Sequence, residues 1–237
     1  MPTDHKTECP FCRGLHWHKY EYLETKMIEI SRYVTIDSKN SSTWGEEIAD
    51  IMVLTGNAMD TFFKDMYDCP NFMNYHLKKS KKDLKLTDYQ KIFEEYYQLS
   101  KNTVYVPFGL GKSQILAPFR DFKIKKPEWW DAYNATKHNF YSSMETSNLG
   151  NALQCLSGLL VLNMLHICSK WFLNWRHAIS LEMSQIKNPL HTLNELTRSK
   201  IGVTRWAFPL TITTKLFNFS YLLDESVNVK DEPLVKF

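Results

Sequence analysis

The sequence predicts a mainly α-helical protein, and three observations support this class. Apolar residues recur at helical spacing in several long segments. Residues that favour helix N-termini stand before three of these segments. Residues with a preference for strands are confined to two short stretches. A helical bundle is therefore expected, with an extended loop at about 103–126 and an irregular or short-strand C-terminal arm.

Length and composition fit one large domain with terminal additions. The chain has 237 residues, of which 43% are hydrophobic and 14% aromatic, enough to form a substantial core. The formal net charge of +3 is too small to indicate a nucleic-acid-binding protein by itself. It leaves room for one local basic patch.

The cysteines indicate a reducing compartment. Five is an odd number, and three of them are scattered singly: Cys69, Cys155 and Cys168. No apolar stretch follows the N-terminus, and Leu149–Leu173 carries too many polar residues for a membrane span. We therefore expect a cytoplasmic protein that does not enter a membrane.

A metal-like pattern lies near the N-terminus, within residues 1–17 and just beyond. Cys9 and Cys12 form a C-x-x-C pair, and His16 and His18 follow closely. Thiolate and imidazole ligands suit zinc, so these four residues are a candidate zinc site. The two histidines are close together for a second ligand pair. A loose N-terminal segment with inert thiols is the alternative, and both interpretations stay open here.

The first two helices are indicated by apolar spacing. One runs from His18 to Val34. Thr43 and Glu46 then have the spacing of a capping box, and the helix behind them runs to about Tyr67. Asp60 and Lys64 lie one turn apart on it and can form a surface ion pair. Its apolar stripe comprises Trp44, Ile48, Ile51, Met52, Met59, Phe62, Phe63 and Met66.

A third, shorter helix and an irregular region follow. Thr87 or Asp88 caps a helix through Leu99. Residues 103–107 favour a strand but stop at a proline, and the glycines behind them exclude a helix. This region is expected to be an extended loop or a short hairpin.

The remaining helices complete the bundle. Pro127 suits the first turn of a helix that continues to His138. The most apolar helix runs from about Asn148 to Phe172, and helical structure is expected to about Gln185. We expect the bundle to occupy 18–186. The extension at 187–237 includes a strand pair or extended arm at Trp206–Tyr221.

The helix after Pro127 carries the candidate functional residues. Trp130, Asn134, His138 and Tyr141 have the spacing of one helical face, and Lys137 lies beside them. Histidine can act as a general acid or base near neutral pH. Asparagine and lysine can contact phosphate, and the aromatic rings can stack on a base.

A plainer interpretation fits the same residues. Asn134 and His138 can form a satisfied polar network where two helices pack. Spacing alone does not separate this interpretation from a functional site.

A resemblance to a known family bears on the choice. The run Pro-Glu-Trp-Trp-Asp-Ala-Tyr-Asn-Ala-Thr-Lys-His, followed by Asn148-Leu-Gly-Asn-Ala-Leu-Gln-Cys-Leu-Ser-Gly-Leu-Leu, resembles HEPN-like bacterial and archaeal proteins with a WWxxYNxxKH element. The segments around Ile30–Val34 and Thr43–Asp60 also resemble those proteins. The similarity extends over roughly residues 20–170.

The resemblance implies a bundle of four or more helices, often dimerised so that two copies of the motif face each other. Active members are metal-independent endoribonucleases with an R-x4–6-H motif. The histidine assists attack by the RNA 2′-hydroxyl on the adjacent phosphodiester, and the arginine stabilises the charge that develops on the phosphoryl group.

This sequence departs from that motif at the arginine. His138 matches the motif histidine and Asn134 matches a polar residue that often follows the arginine, but the arginine positions hold Tyr133, Ala132 and Asp131. Lys137, Arg120 or Arg32 are candidate substitutes, although lysine lacks the bidentate guanidinium fork. Where active members have an acidic residue in the first helix, this chain offers Asp60 or Asn57.

Two main functions are therefore expected. The first is a non-catalytic helical module that binds RNA, a nucleotide or a protein partner, with Trp130, Tyr133, Tyr141 and Arg120 as binding residues. The alternative is a metal-independent endoribonuclease, of toxin or phage-defence type, in which His138 is the acid/base and Asn134 and Lys137 support the phosphate. A third option is a structural protein whose Cys9/Cys12 segment binds zinc. The resemblance also implies a homodimer.

Overall fold

The predicted mainly α-helical fold is confirmed by a computed structural model. It describes residues 9–69, 83–106, 114–170, 172–173, 211–220 and 235–236. Among these residues, no helix combines the length and the apolar character needed to cross a bilayer.

The described residues include six separate α-helices and three 3₁₀ turns. The helices are α1 (Leu15–Ser31), α2 (Glu46–Tyr67), α3 (Leu86–Tyr97), α4 (Glu128–His138), α5 (Phe140–Ser143) and α6 (Leu149–Leu165). The 3₁₀ turns are Ser38–Asn40, Leu99–Lys101 and Met144–Thr146. Residues 167–170 and 172–173 are helical again after a bend at His166.

Helix α2 lies at the centre of the bundle and packs against α1, α4 and α6. Its predicted apolar stripe faces the core, where Met52, Met59, Phe62 and Phe63 are fully buried. Trp44 is the exception, because it precedes the helix and is 52% exposed. Helix α6 is buried on almost every side, which agrees with its nearly continuous apolar sequence.

The predicted capping box at Thr43 is wrong. The N-cap of α2 is Gly45, and no side chain caps the helix. The Thr43 carbonyl instead accepts the Leu149 N–H at 2.8 Å, and the Ser41 carbonyl accepts the Gly150 N–H at 2.8 Å. These bonds to the start of α6 hold the segment outside the helix. Helix α6 itself has a side-chain cap, since Asn148 accepts the Asn151 N–H at 3.0 Å.

In the part of the chain that the structure describes, five short strands form a small sheet beside the helices. They are β1 (Val104–Val106), β2 (Gln114–Leu116), β3 (Thr211–Thr213), β4 (Asn218–Ser220) and β5 (Val235–Lys236). Their order is β2-β1-β4-β3-β5, with only the β3–β5 pair parallel. The expected loop thus contains a short hairpin, and the C-terminal arm contains a strand pair. The helical structure expected as far as Gln185 lies outside the described residues beyond Leu173.

A buried glutamate joins the C-terminal hairpin to α1. Glu24 is 3% exposed and accepts hydrogen bonds from the Leu216 N–H at 2.9 Å, from the Tyr20 hydroxyl at 2.8 Å and from the Thr214 hydroxyl. Burial and the nearby Glu24 carboxylate hold the pKa of Tyr20 well above its usual value. The hairpin turn is therefore fixed to the bundle by a polar contact inside the core.

Residues 9–14 are packed rather than loose. They form a hydrogen-bonded turn before α1, in which the Leu15 N–H donates to the Pro10 carbonyl at 3.0 Å. Phe11 is 1% exposed and stacks on His16 and His166, with ring centroids 4.4 and 3.9 Å away. The alternative of a loose N-terminal segment is wrong for these residues. The boundaries predicted for the N-terminal and C-terminal extensions stay predictions. The first of them, after residue 17, falls inside α1.

Candidate functional site

A polar network joins α4 to α2. The Tyr133 hydroxyl donates to Asn57 Oδ1 at 2.8 Å, and Lys137 Nζ donates to the Tyr133 hydroxyl at 2.9 Å. The Tyr133 side chain is 1% exposed, whereas Lys137 is exposed. The network therefore runs from the core, where α4 packs on α2, towards the solvent.

Both titratable members of this network are protonated at neutral pH. Burial raises the pKa of Tyr133 above its usual value, against the opposing effect of Lys137. The hydrogen bond to Tyr133 raises the pKa of Lys137, and the Asp60 carboxylate acts in the same direction. The network thus presents a neutral hydroxyl beneath a positively charged ammonium group.

His138 is the last residue of α4 and is exposed to solvent. Within the described part of the chain, its side chain makes no hydrogen bond or ion pair. The helix ends there because Asn139 leaves the helical conformation, with φ −141° and ψ 68°. Tyr141 belongs to α5 and is 81% exposed. The expected single helical face was therefore wrong at Tyr141, which lies beyond the break.

Trp130 and Asn134 are engaged within the protein. The Trp130 ring is half-buried and lies 6.2 Å from Phe63 and 5.4 Å from Tyr133, centroid to centroid. Asn134 Nδ2 donates to the Trp130 carbonyl at 2.9 Å, one turn back along the same helix. The satisfied network that the plainer interpretation expected thus involves Tyr133 and Asn57 instead of Asn134 and His138.

Arg120 lies at the opposite end of α4. It is exposed and lines a surface groove together with Glu128 and Trp129, at the start of that helix. His138 follows Trp129 by nine residues, which is roughly 13 Å along a helix. Arg120 therefore does not lie beside His138, where it was expected as a candidate substitute for an arginine. Arg32, another candidate substitute, is the C-cap residue of α1.

A second candidate site consists of cysteines. The Sγ atoms of Cys9, Cys69 and Cys168 all lie within 4.8 Å of one another and can hold a metal ion. Cys69 Sγ and Cys168 Sγ are 3.6 Å apart, and none of the cysteines is in a disulfide. The Cys12 thiol interacts with the thiols of Cys9 and Cys168. Cys12 thus adjoins the group, although its Sγ atom is not one of the three that all lie within 4.8 Å of one another.

The neighbouring thiols affect each other's acidity. Contacts with the Cys168 and Cys69 thiols hold the pKa of Cys9 below its usual value, and the N–H groups of Cys12 and Phe11 act in the same direction. Burial raises the pKa of Cys12, and the nearby sulfurs of Cys168 and Cys9 add to this effect. The Cys9 thiol is therefore more acidic than the Cys12 thiol.

The histidines expected as zinc ligands are not part of this cluster. His16 Nε2 bonds to Asp65 Oδ2 at 3.0 Å, and the exposed His18 pairs with Glu21 at 3.2 Å. The turn at Cys9 directs its thiols towards the ends of α2 and α6, away from the start of α1. Of the four expected ligands, only Cys9 belongs to the group that the structure brings together, and its companions there are Cys69 and Cys168.

Sequence reasoning missed Cys69 and Cys168, although a weak signal existed. Each follows the end of a long apolar helix, Cys69 after α2 and Cys168 after α6. The two helices pack against each other, so the residues that follow them can meet. Periodicity predicts the helices, but not which of their ends are neighbours.

Comparisons with known proteins give no further assignment. The chain matches no family model, no curated protein and no solved structure.

Proposed function

We propose that this chain is a HEPN-like helical module that binds RNA at the exposed end of α4 without cleaving it. The observation that carries the proposal is the position of Tyr133. It occupies a position where the HEPN motif requires arginine, and its hydroxyl is held between Asn57 and Lys137. The helix that carries the motif is thus present, with tyrosine where the motif has its catalytic arginine.

The replacement removes the stabilisation that phosphodiester cleavage needs. An arginine at this position would provide a forked cation for the oxygens of the reacting phosphoryl group. Tyr133 provides one neutral hydroxyl, which already donates to Asn57 and lies 1% exposed. Lys137 is a point charge on a flexible stem and cannot supply the same bidentate contact.

The groups that remain suit the binding of a nucleic-acid strand. Lys137 keeps its positive charge, and His138 beside it offers ring nitrogens to a phosphate oxygen. Tyr141, three residues further on, exposes 81% of its side chain and can stack on an unpaired base. This combination of cation and ring favours single-stranded RNA over a protein partner.

A dimer would double this surface. In the HEPN arrangement two copies of the motif helix face each other, so two sets of Lys137, His138 and Tyr141 would border one groove. Light scattering of the purified chain tests this part of the proposal. A mass of 28.0 kDa would mean a monomer and would leave each α4 to bind RNA alone.

The alternative function is metal-independent RNA cleavage by His138. One observation favours it: the imidazole is exposed and, among the described residues, has no hydrogen-bonding partner. It is therefore free to exchange a proton with a 2′-hydroxyl group or with a leaving oxygen.

Binding is tested with a labelled single-stranded RNA by fluorescence anisotropy, at low and at physiological salt. We expect Lys137→Ala and His138→Ala to weaken binding several-fold and to reduce its salt dependence. Lys26→Ala is the matched control, because Lys26 is also an exposed helical lysine with a hydrogen-bonded partner, Glu29. Equal affinity of all four proteins for RNA would refute the proposed site. Tighter binding of a free nucleotide than of RNA would change the ligand class.

Cleavage is tested on the same RNA in EDTA, wild type beside His138→Ala, with circular dichroism recorded in the same buffer to check the fold. We expect neither protein to cut the RNA. Cleavage by the wild type alone, leaving 2′,3′-cyclic phosphate ends, would establish the nuclease and overturn the non-catalytic proposal.

A further inference from the structure

The four clustered cysteines come from three separate parts of the chain. Cys9 and Cys12 belong to the turn before α1, Cys69 follows the C-cap of α2, and Cys168 lies just after the end of α6. A cysteine inside an apolar core needs no other cysteine beside it, as the buried Cys155 within α6 shows. The convergence of three thiols from separate parts of the chain, with Cys12 beside them, therefore requires its own explanation.

The spacing of the sulfurs matches ligands that share one ion. Zinc binds thiolate at about 2.3 Å with tetrahedral geometry, which places two ligand sulfurs about 3.8 Å apart. Cys69 Sγ and Cys168 Sγ are 3.6 Å apart, and the three sulfurs including Cys9 lie within 4.8 Å of one another. Thiolates bound to different irons of an iron–sulfur cluster would be further apart. A disulfide would need an S–S distance of about 2.05 Å.

Burial makes the cluster a closed site. Cys69 and Cys168 are 2% and 3% exposed, and Cys9 is 9% exposed. The Phe11 ring lies against the His166 ring at 3.9 Å, and His166 Nδ1 accepts the Cys168 N–H at 3.2 Å. The histidine is thus occupied in orienting the segment around Cys168. Four protein ligands with little access for water are typical of a structural zinc site, not a catalytic one.

We propose that Cys9, Cys12, Cys69 and Cys168 bind one Zn²⁺ as a four-thiolate structural site. Binding converts the thiols to thiolates and releases their protons to solvent. The ion ties the N-terminal turn to the ends of α2 and α6. This site is independent of the RNA-binding surface proposed on α4.

The test begins with the full chain, purified without added metal and without an affinity tag that binds metal. Elemental analysis should find one zinc per chain, and a thiol reagent should find four thiols protected until a strong chelator is added. Replacement by Co²⁺ should give the intense thiolate-to-cobalt and d–d absorption bands of a tetrahedral sulfur site.

Two variants separate the site from a general effect on folding. Cys12→Ser removes a ligand on the partly exposed turn and should reduce the zinc content to a small fraction of one per chain. Cys155→Ala is the matched control, since this buried cysteine lies outside the cluster, and it should keep one zinc. Cobalt spectra of the wild type decide the question even if Cys12→Ser does not fold.

Three results would overturn the proposal. The first is a metal-free protein with a Cys69–Cys168 disulfide in its non-reduced peptide map. The second is iron with acid-labile sulfide, which would indicate an iron–sulfur cluster. The third is a full zinc content in Cys12→Ser.

Discussion

Gly56 of α2 lies directly against the ring of Tyr133 of α4. A Cβ atom added to Gly56 would be 2.1 Å from Tyr133 Cδ2 and 2.3 Å from Tyr133 Cγ. No side chain fits between the two helices at this point. The absence of a side chain at Gly56 therefore allows α4 to approach α2 and places the Tyr133 hydroxyl beside Asn57.

Gly56→Ala should destabilise the protein in spite of the better helix propensity of alanine. The methyl group would push Tyr133 out of its position, at a cost of about 1–3 kcal/mol in the free energy of unfolding. Urea denaturation measures this change. Gly45→Ala is the control, because a Cβ there would meet nothing within 4 Å. Equal stability of the two variants would mean that α4 is not packed on Gly56.

Placing an arginine at position 133 should not produce a nuclease. Tyr133→Arg places a cation in a position that is 1% exposed and next to Lys137. The loss of stability should be about 3 kcal/mol or more, since no carboxylate is bonded to Tyr133 to pair with the arginine. Tyr133→Phe, which removes only the hydroxyl, should cost about 1 kcal/mol. A stable Tyr133→Arg protein that cleaves RNA in EDTA would contradict this expectation.

Glu24→Ala should release the C-terminal hairpin from the bundle. It leaves the Leu216 N–H and the Tyr20 hydroxyl without their buried acceptor, at a cost of about 2–4 kcal/mol. Hydrogen exchange at the Leu216 amide should accelerate more than exchange in α6. Glu29→Ala, on the exposed side of α1, should leave both rates unchanged. Uniform acceleration across the protein would mean that the hairpin and the bundle unfold together.

A chelator that removes the proposed zinc should lower the melting temperature of the wild type. A structural ion stabilises the folded chain because the unfolded chain does not hold the preformed site. A loss of about 3 kcal/mol corresponds to roughly 6–12 °C for a domain of this size. Thermal melts with and without a strong chelator measure the shift, and zinc added back should reverse it. Cys12→Ser should melt at the same temperature in both buffers.

Local sequence signals predicted the helices well. The apolar stripe of α2 and the continuous apolar run of α6 each determine one buried surface, and both were confirmed. The Asp60–Lys64 pair, at 2.6 Å, follows from spacing within one helix. What failed depended on partners far along the chain. Thr43 does not cap α2, and its carbonyl instead accepts the Leu149 N–H at the start of α6.

The candidate sites show the same difference between local signals and contacts of distant residues. The C-x-x-C spacing identified Cys9 and Cys12 as candidate ligands. Cys69 and Cys168 lie near them because α2 packs against α6, which the spacing does not predict. The motif around His138 was visible in the sequence, whereas the pairing of Tyr133 with Asn57 depends on the contact between α4 and α2. Helical spacing also placed Tyr141 on the same face as His138, because no local sequence signal marks the end of α4 at Asn139.

The contact between Phe11 and His166 has a consequence for synthesis of the chain. The two rings stack at 3.9 Å, although they stand near opposite ends of the bundle's sequence. A ribosome makes the chain from its N-terminus, so the turn around Phe11 waits for its partner until α6 and the residues after it have left the exit tunnel. The core of this bundle therefore closes late in translation, and until then its first turn is open to chaperones and to oxidants.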